Sequence, residues 1–284
     1  MNPIRHLIAA LLLLTGIFAA PTSARAAQSY DNCTAFIDTI PATISTQGTW
    51  CLRHDVTTAI TSGNAITIAT NNVTIDCNDF KVGGLQAGNS STANGIYAYG
   101  HLNATVRHCN VRGFYNGINL EGSGGGHLVE DNRLDQSLSI GINVVGDNNL
   151  VQRNRVYDTG GYPGNAYSYG IIASADVVDN IVAGVFATAA QTFPYAIIVD
   201  GGGSEARGNR VRGIVVAGGG VANGIYASGA GVTVDGNRVS SAAPISGYAI
   251  SGNGANTFCS NNTEVNFSVQ YYSCEASLNN LTLP

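Results

Sequence analysis

Charge is what this chain has least of. Only 11% of its 284 residues are charged, and Lys81 is its one lysine. So few charges argue against a coiled coil or helical bundle, whose surfaces are rich in Glu, Lys and Arg. A net charge of −5 with almost no lysine also argues against non-specific nucleic-acid binding, which depends on neutralising phosphates. After the first residues, no apolar run approaches the ~20 residues that a membrane-spanning helix needs. No CxxC or Cys/His spacing suggests zinc. Gly201–Gly203 and Gly218–Gly220 lack the following Gly-Lys-Ser/Thr of a phosphate loop and read as turns. Hydrophobic residues still make up 44%, enough for a buried core.

What is present begins with an address. Arg5 supplies a positive start, Leu7 to Ala20 are nearly all apolar, and small residues surround Ala24-Arg25-Ala26. This predicts a signal peptide over 1–26 and an exported protein, extracellular or periplasmic. Six cysteines follow: Cys33, Cys51, Cys77, Cys109, Cys259 and Cys274. An even number in an exported chain predicts three disulfides among fifteen possible connectivities. Sequential pairing is preferred, because it closes short loops at the two ends of the mature chain.

Glycine (36) and asparagine (29) are abundant, and both recur in register. One repeated word is a small residue followed by Ile: Ala65-Ile66, Gly95-Ile96, Gly117-Ile118, Gly141-Ile142, Gly170-Ile171, Ala196-Ile197, Gly224-Ile225 and Ala249-Ile250. A second word sets an apolar residue three positions before Asn, at Val129/Asn132, Val151/Asn154, Val177/Asn180 and Val234/Asn237. Asn78, Asn209 and Asn261 keep the beat, and Cys109 takes the Asn place once. A fixed period of this size means a solenoid. The local pattern is β-type alternation, as in Ile118-Asn119-Leu120-Glu121, without a 3.6-residue stripe. Short strands separated by turns predict a parallel β-helix. Stacked at a tight bend, the Asn amides would bond from coil to coil.

The Gly-Ile words, the Asn turns and the opening Ile40-Pro41-Ala42-Thr43-Ile44 … Gly48-Thr49-Trp50-Cys51-Leu52 resemble the pectate-lyase-like superfamily of right-handed parallel β-helix proteins. The likeness spans about residues 35 to 265. It implies an all-β, single-domain solenoid of about eight coils over 64–261, with an N-terminal cap over 27–63 and a C-terminal cap or tail over 262–284. It implies less about activity, because the superfamily includes lyases, hydrolases, epimerases and proteins without catalysis. The Arg-x-Pro-x-x-Arg of pectate lyases, the Asn-Thr-Asp and Gly-Asp-Asp of polygalacturonases and the Asp-Pro-His of mannuronan epimerases are all absent.

Families of this shape bind an extended polysaccharide along one stacked sheet, so the outward residues of the Gly-Ile strands are the candidates. One outward column would read Thr67, Tyr97, Asn119, Asn143, Ile172, Ile198, Tyr226; the next reads Ala69, Tyr99, Glu121, Val145, Ser174, Asp200, Ser228. A lyase acting on a uronate must neutralise a carboxylate, remove a proton and protonate a leaving oxygen. Asn119 or Asn143 would hold the carboxylate, with His101 as base and Tyr99 as acid. Glu121 would orient His101 or offer calcium an oxygen ligand. No motif indicates a cofactor. Glu121 and Asp200, three coils apart or about 14 Å, are too distant for an inverting hydrolase pair. Tyr157, Tyr162, Tyr167 and Tyr169, with Phe186, Phe193 and Tyr195 in the next coil, would wall a groove for sugar rings. Arg133, Arg155, Arg210 and Arg238 each follow a ladder Asn and form either an anion-attracting stripe or cross-coil ion pairs. Asp131, Arg153 and Asp179 in one column, and Arg107 beside Glu130 in another, favour pairing. The competing reading is a non-catalytic surface or matrix protein with a rigid β-helix scaffold.

Overall fold

The computed structural model describes residues 30–253 and 256–283. The leader expected over 1–26 lies outside the described residues. Each turn of the chain lays down three short strands, and like strands of successive turns pair in parallel. Three faces result. Face A carries the Gly-Ile words: Ile66, Ile96, Ile118, Ile142, Ile171, Ile197, Ile225 and Ile250 are partners in unbroken register. Face B carries the apolar residue of the second word, through Ile75, Val106, Val129, Val151, Val177, Ala206, Val234 and Cys259. Face C runs through Val82, Val111, Leu134, Val156, Val182, Val211, Val239 and Glu264.

Alternation decides which side chains point inward. Along a strand successive residues face opposite ways, so Ile118 and Leu120 enter the core while Asn119 and Glu121 lie on the outer side. The inward Ile and Val columns are almost completely buried, and each such side chain contributes about 1.5–3 kcal/mol. The small residue before each Ile has a steric origin. A Cβ on Gly141 would lie 2.4 Å from the Gly170 carbonyl oxygen and 2.5 Å from a Val156 methyl. A small residue lets the chain pass from face C to face A against its neighbour.

The corner between faces B and C explains the asparagine. One residue takes a left-handed backbone conformation (Asp131 at φ 53°, Arg153 at 55°, Asp179 at 56°, with Gly208 and Gly236 in later coils) and the ladder Asn follows it. The Asn154 amide donates 2.8 Å to the Val129 carbonyl and 3.1 Å to Asn180, and its oxygen accepts from the Asn132 side chain at 3.0 Å. The same pattern continues through Asn209, Asn237, Asn262 and Asn280. Two expected members are displaced by the turn geometry. Asn78 donates instead to the Leu52 carbonyl, and Asn261 occupies the left-handed position at φ 53°, leaving the ladder place to Asn262.

The coil extends further than expected at both ends, giving about nine turns instead of eight. Residues 35–57, expected as a cap, already pair in register with faces A, B and C. Residues 263–283 continue the same pairing. These end coils lack the Gly-Ile word but keep the alternation, which is all that parallel pairing needs. The disulfides are Cys33–Cys51, Cys77–Cys109 and Cys259–Cys274. Cys109 donates its backbone N–H to Asn132, so the second disulfide joins two coils where the ladder begins.

Candidate functional site

Face A brings most of the candidate residues onto one surface. Tyr97, Asn119, Asn143, Ile172, Ile198 and Tyr226 are consecutive register partners, and Tyr99 pairs with Glu121 beside them. In the early coils the surface is polar and tightly bonded. Asn94 donates to Asn64 and accepts from Asn116 and Asn119; Asn143 donates 2.8 Å to Asn119 and 3.1 Å to the Glu121 carboxylate. Asn119 and Asn143 are therefore largely buried and occupied with one another. Burial, then the nearby Glu121 charge, raises the Tyr97 phenol above its ordinary range. Tyr99 is 64% exposed, the freest aromatic ring on the face.

His101 stands at the corner beyond Tyr99, where its Nδ1 lies 3.3 Å from the Asn71 side-chain oxygen. Among the described residues no hydrogen bond joins it to Tyr99 or Glu121. His127, just before the strand Leu128–Glu130, is buried; its Nδ1 accepts the Ala104 N–H at 3.2 Å. Burial lowers its basicity, and His101 adds to this. Asp200 accepts a 2.7 Å hydrogen bond from Ser228, three strands along from Glu121 in the outer column.

The tyrosines divide among three places. Tyr167 and Tyr169 belong to a face A strand, where Tyr167 stacks on Phe193 at 5.4 Å and Tyr169 on Tyr195 at 5.5 Å. Tyr195 meets Tyr226 at 5.8 Å. Tyr162 packs edge-on against Tyr115 at the corner leading into face A. Tyr157 lies on face C beneath Arg133, whose guanidinium sits 5.4 Å from its ring centre. The segment 157–169 is therefore strand at both ends and does not form one loop wall. Phe186 also leaves the wall, lining a surface hollow with Leu85 and Gly160. Near-parallel stacking turns the ring faces toward one another, leaving edges and hydroxyls for a ligand. Tyr115 and Tyr226 complete the row. Their signal was present in Tyr226, which shares the outward column of Tyr97.

The cations lie elsewhere. Among the described residues no Lys or Arg occupies face A. Arg107, in register with both Asp76 and Glu130, bonds Asp76 at 2.8 Å, and Arg153 takes both Glu130 at 2.6 Å and Asp131 at 2.8 Å. Asp179, in the same column, has no ion pair with Arg153. No cluster of three or more His, Cys, Asp or Glu residues among the described ones is placed to hold a metal. Among the described residues no helix is long and apolar enough to cross a membrane.

Comparison with solved structures returns matches at low identity. An alginate lyase from a Paenibacillus species matches over 89% of this chain and 100% of its own, at 13% identity and a TM-score of 0.40. The A-module of the mannuronan C-5 epimerase AlgE6 from Azotobacter vinelandii matches over 83% of each chain, at 13% identity and a TM-score of 0.37. No curated protein matches. The family model described as a right-handed beta helix region matches residues 45–193, more than half the sequence. By its coil, its turn ladder and that match, the chain belongs to the right-handed parallel β-helix family.

Proposed function

We propose that the chain is an exported protein that binds an extended, hydroxyl-rich polysaccharide along face A. The observation that carries this is one continuous surface of Tyr, Asn, Ile and Glu, without a cation among the described residues. From Tyr97 to Tyr226 it crosses six strands, about 24 Å at ordinary strand spacing. Phenol hydroxyls and amides give directional bonds to sugar hydroxyls, while ring edges cover the apolar sugar carbons. Burial keeps the Tyr169 and Tyr195 phenols protonated, so both can donate. Three disulfides favour an oxidising compartment, extracellular or periplasmic.

The face suits a neutral glycan better than a uronate. Holding a carboxylate needs a positive group or free donors, whereas Asn119 and Asn143 are occupied and Glu121 would repel it. If the face also processes its ligand, the residues open to it are Tyr99 and Glu121, with His101 at the corner; a lyase-like step would use His101 as base and Tyr99 as acid. The test is calorimetry of the folded protein against neutral and uronate polysaccharides, with ultraviolet detection of unsaturated products. Neutral-glycan binding that is lost in Tyr169→Ala supports the proposal. Binding unaffected by any face A substitution overturns it.

A further inference from the structure

Face C bears the opposite chemistry. Arg210 and Arg238 are direct register partners on adjacent strands, about 4.8 Å apart at the backbone, and Arg212 is two residues along from Arg210. Like charges placed directly opposite one another are destabilising. On face B and its corner with face C, arginines are cancelled: Arg107 with Asp76, Arg153 with Asp131 and Glu130, Arg207 with Glu205. Here they are not. The flanking register positions hold Ile181 and Ala183 on one side and Thr263 and Val265 on the other. Among the described residues, no carboxylate lies within ion-pair distance of Arg210, Arg212 or Arg238, and all three are exposed.

Shape agrees with charge. These arginines line an open groove of about 550 Å³ with Ser240, Gly208 and Gly236. Gly208 and Gly236 hold the left-handed corner that Asp131, Arg153 and Asp179 fill in earlier coils. At this corner Gly236 faces open space beside Arg238, whereas Gly208 abuts the Asp179 side chain. Arg155, also exposed, lies two strands away in the same column, so positive charge continues along the axis.

We infer that Arg210, Arg212 and Arg238 form a second binding site, on face C, for an anionic glycan bearing sulfate or carboxylate groups. Guanidinium matches such planar or tetrahedral oxyanions with paired N–H donors. Cations repeated at strand spacing suit charges repeated along an extended sugar chain. The overall net charge of −5 and the narrowness of the stripe disfavour duplex nucleic acid. This site is independent of the glycan reading for face A, which lacks any cation.

The experiment titrates the folded protein with dextran sulfate, polygalacturonate and neutral dextran. Dextran sulfate and polygalacturonate separate sulfate from carboxylate recognition, and binding of either supports the site. In Arg210→Gln/Arg238→Gln, affinity for the anionic polymer should fall by about tenfold or more, while Arg207→Gln, which removes a charge already paired on face B, should keep it. Tyr169→Ala should also keep it, which separates this site from face A. Anionic polymer should raise the melting temperature of the wild type and leave the double variant unmoved. Should the double variant fail to fold, Arg212→Gln supplies the same titration. Absence of binding to both anionic polymers, equal loss in Arg207→Gln, or tighter binding to duplex DNA overturns the inference.

Discussion

The side-chain amide of Asn143 donates a 3.1 Å hydrogen bond to the carboxylate of Glu121, one coil earlier. That bond holds the Glu121 carboxylate against the asparagine row of face A. Asn143→Ala would leave both Glu121 and Asn119 without this donor. The expected loss is about 1–2 kcal/mol by chemical denaturation, together with weaker glycan binding. Glu121→Gln, which can still accept from Asn143, should keep stability; a fall in turnover without a fall in stability would identify Glu121 as chemically active.

Glycan affinity should distinguish the tyrosines. Tyr169→Ala is expected to weaken binding by about tenfold, the equivalent of ~1.4 kcal/mol. Tyr157→Ala, which removes a ring from face C, should leave it unchanged. Equal effects from both, measured by calorimetry, would reject face A as the binding surface.

Glu264 occupies the inward face C column directly after Val239 and is completely buried. No hydrogen bond of ordinary geometry reaches its carboxyl oxygens, while burial, and then the neighbouring Glu264 carboxyl, raises the Tyr271 phenol. Burial pushes its pKa up from 4.5 to about 7. The folded state thus holds the proton more tightly than the unfolded chain. The contribution to stability is fully present below about pH 4.5 and is lost as pH rises through about 7, up to ~3 kcal/mol in all. Glu264→Gln should therefore flatten the melting temperature between about pH 4 and pH 8 and exceed the wild type at the alkaline end. An unchanged pH profile would refute this account.

The ladder predicts a larger loss. Asn154→Ala removes the donor to the Val129 carbonyl and the acceptor for Asn132. Each buried group left unpaired costs about 1–3 kcal/mol, so denaturation should reveal a total of about 2–5 kcal/mol. Exposed Asn253 offers the contrast, because its substitution should change stability by less than about 0.5 kcal/mol.

The repeat made the coil legible because each coil solves the same steric problem with the same residues. Gly141 must let two coils pass, and Asn154 must satisfy one corner. Face A was legible for the same reason: alternation alone put Tyr97, Asn119 and Asn143 in one column. The variable segments were not. Nothing in the composition of 157–169 says that Tyr157 ends one strand while Tyr167 begins another, because that depends on how many residues the corner consumes. Asn261 and Asn262 are equally suited to the ladder by type; only the backbone conformation of the turn decides between them. Glu264 went unread because a carboxylate at an inward position contradicts the very pattern used to find inward positions.

The side-chain bonds of Asn154 all run to adjacent coils, so energetic coupling along the ladder is nearest-neighbour and length is a free parameter. Excising residues 155–180 would join Asn154 to Ile181 and let Asn154 meet Asn209 directly. The molecule would lose one rung, shortening each face by about 4.8 Å. Face A then acts as a ruler, and the optimum ligand length should shrink with each rung removed.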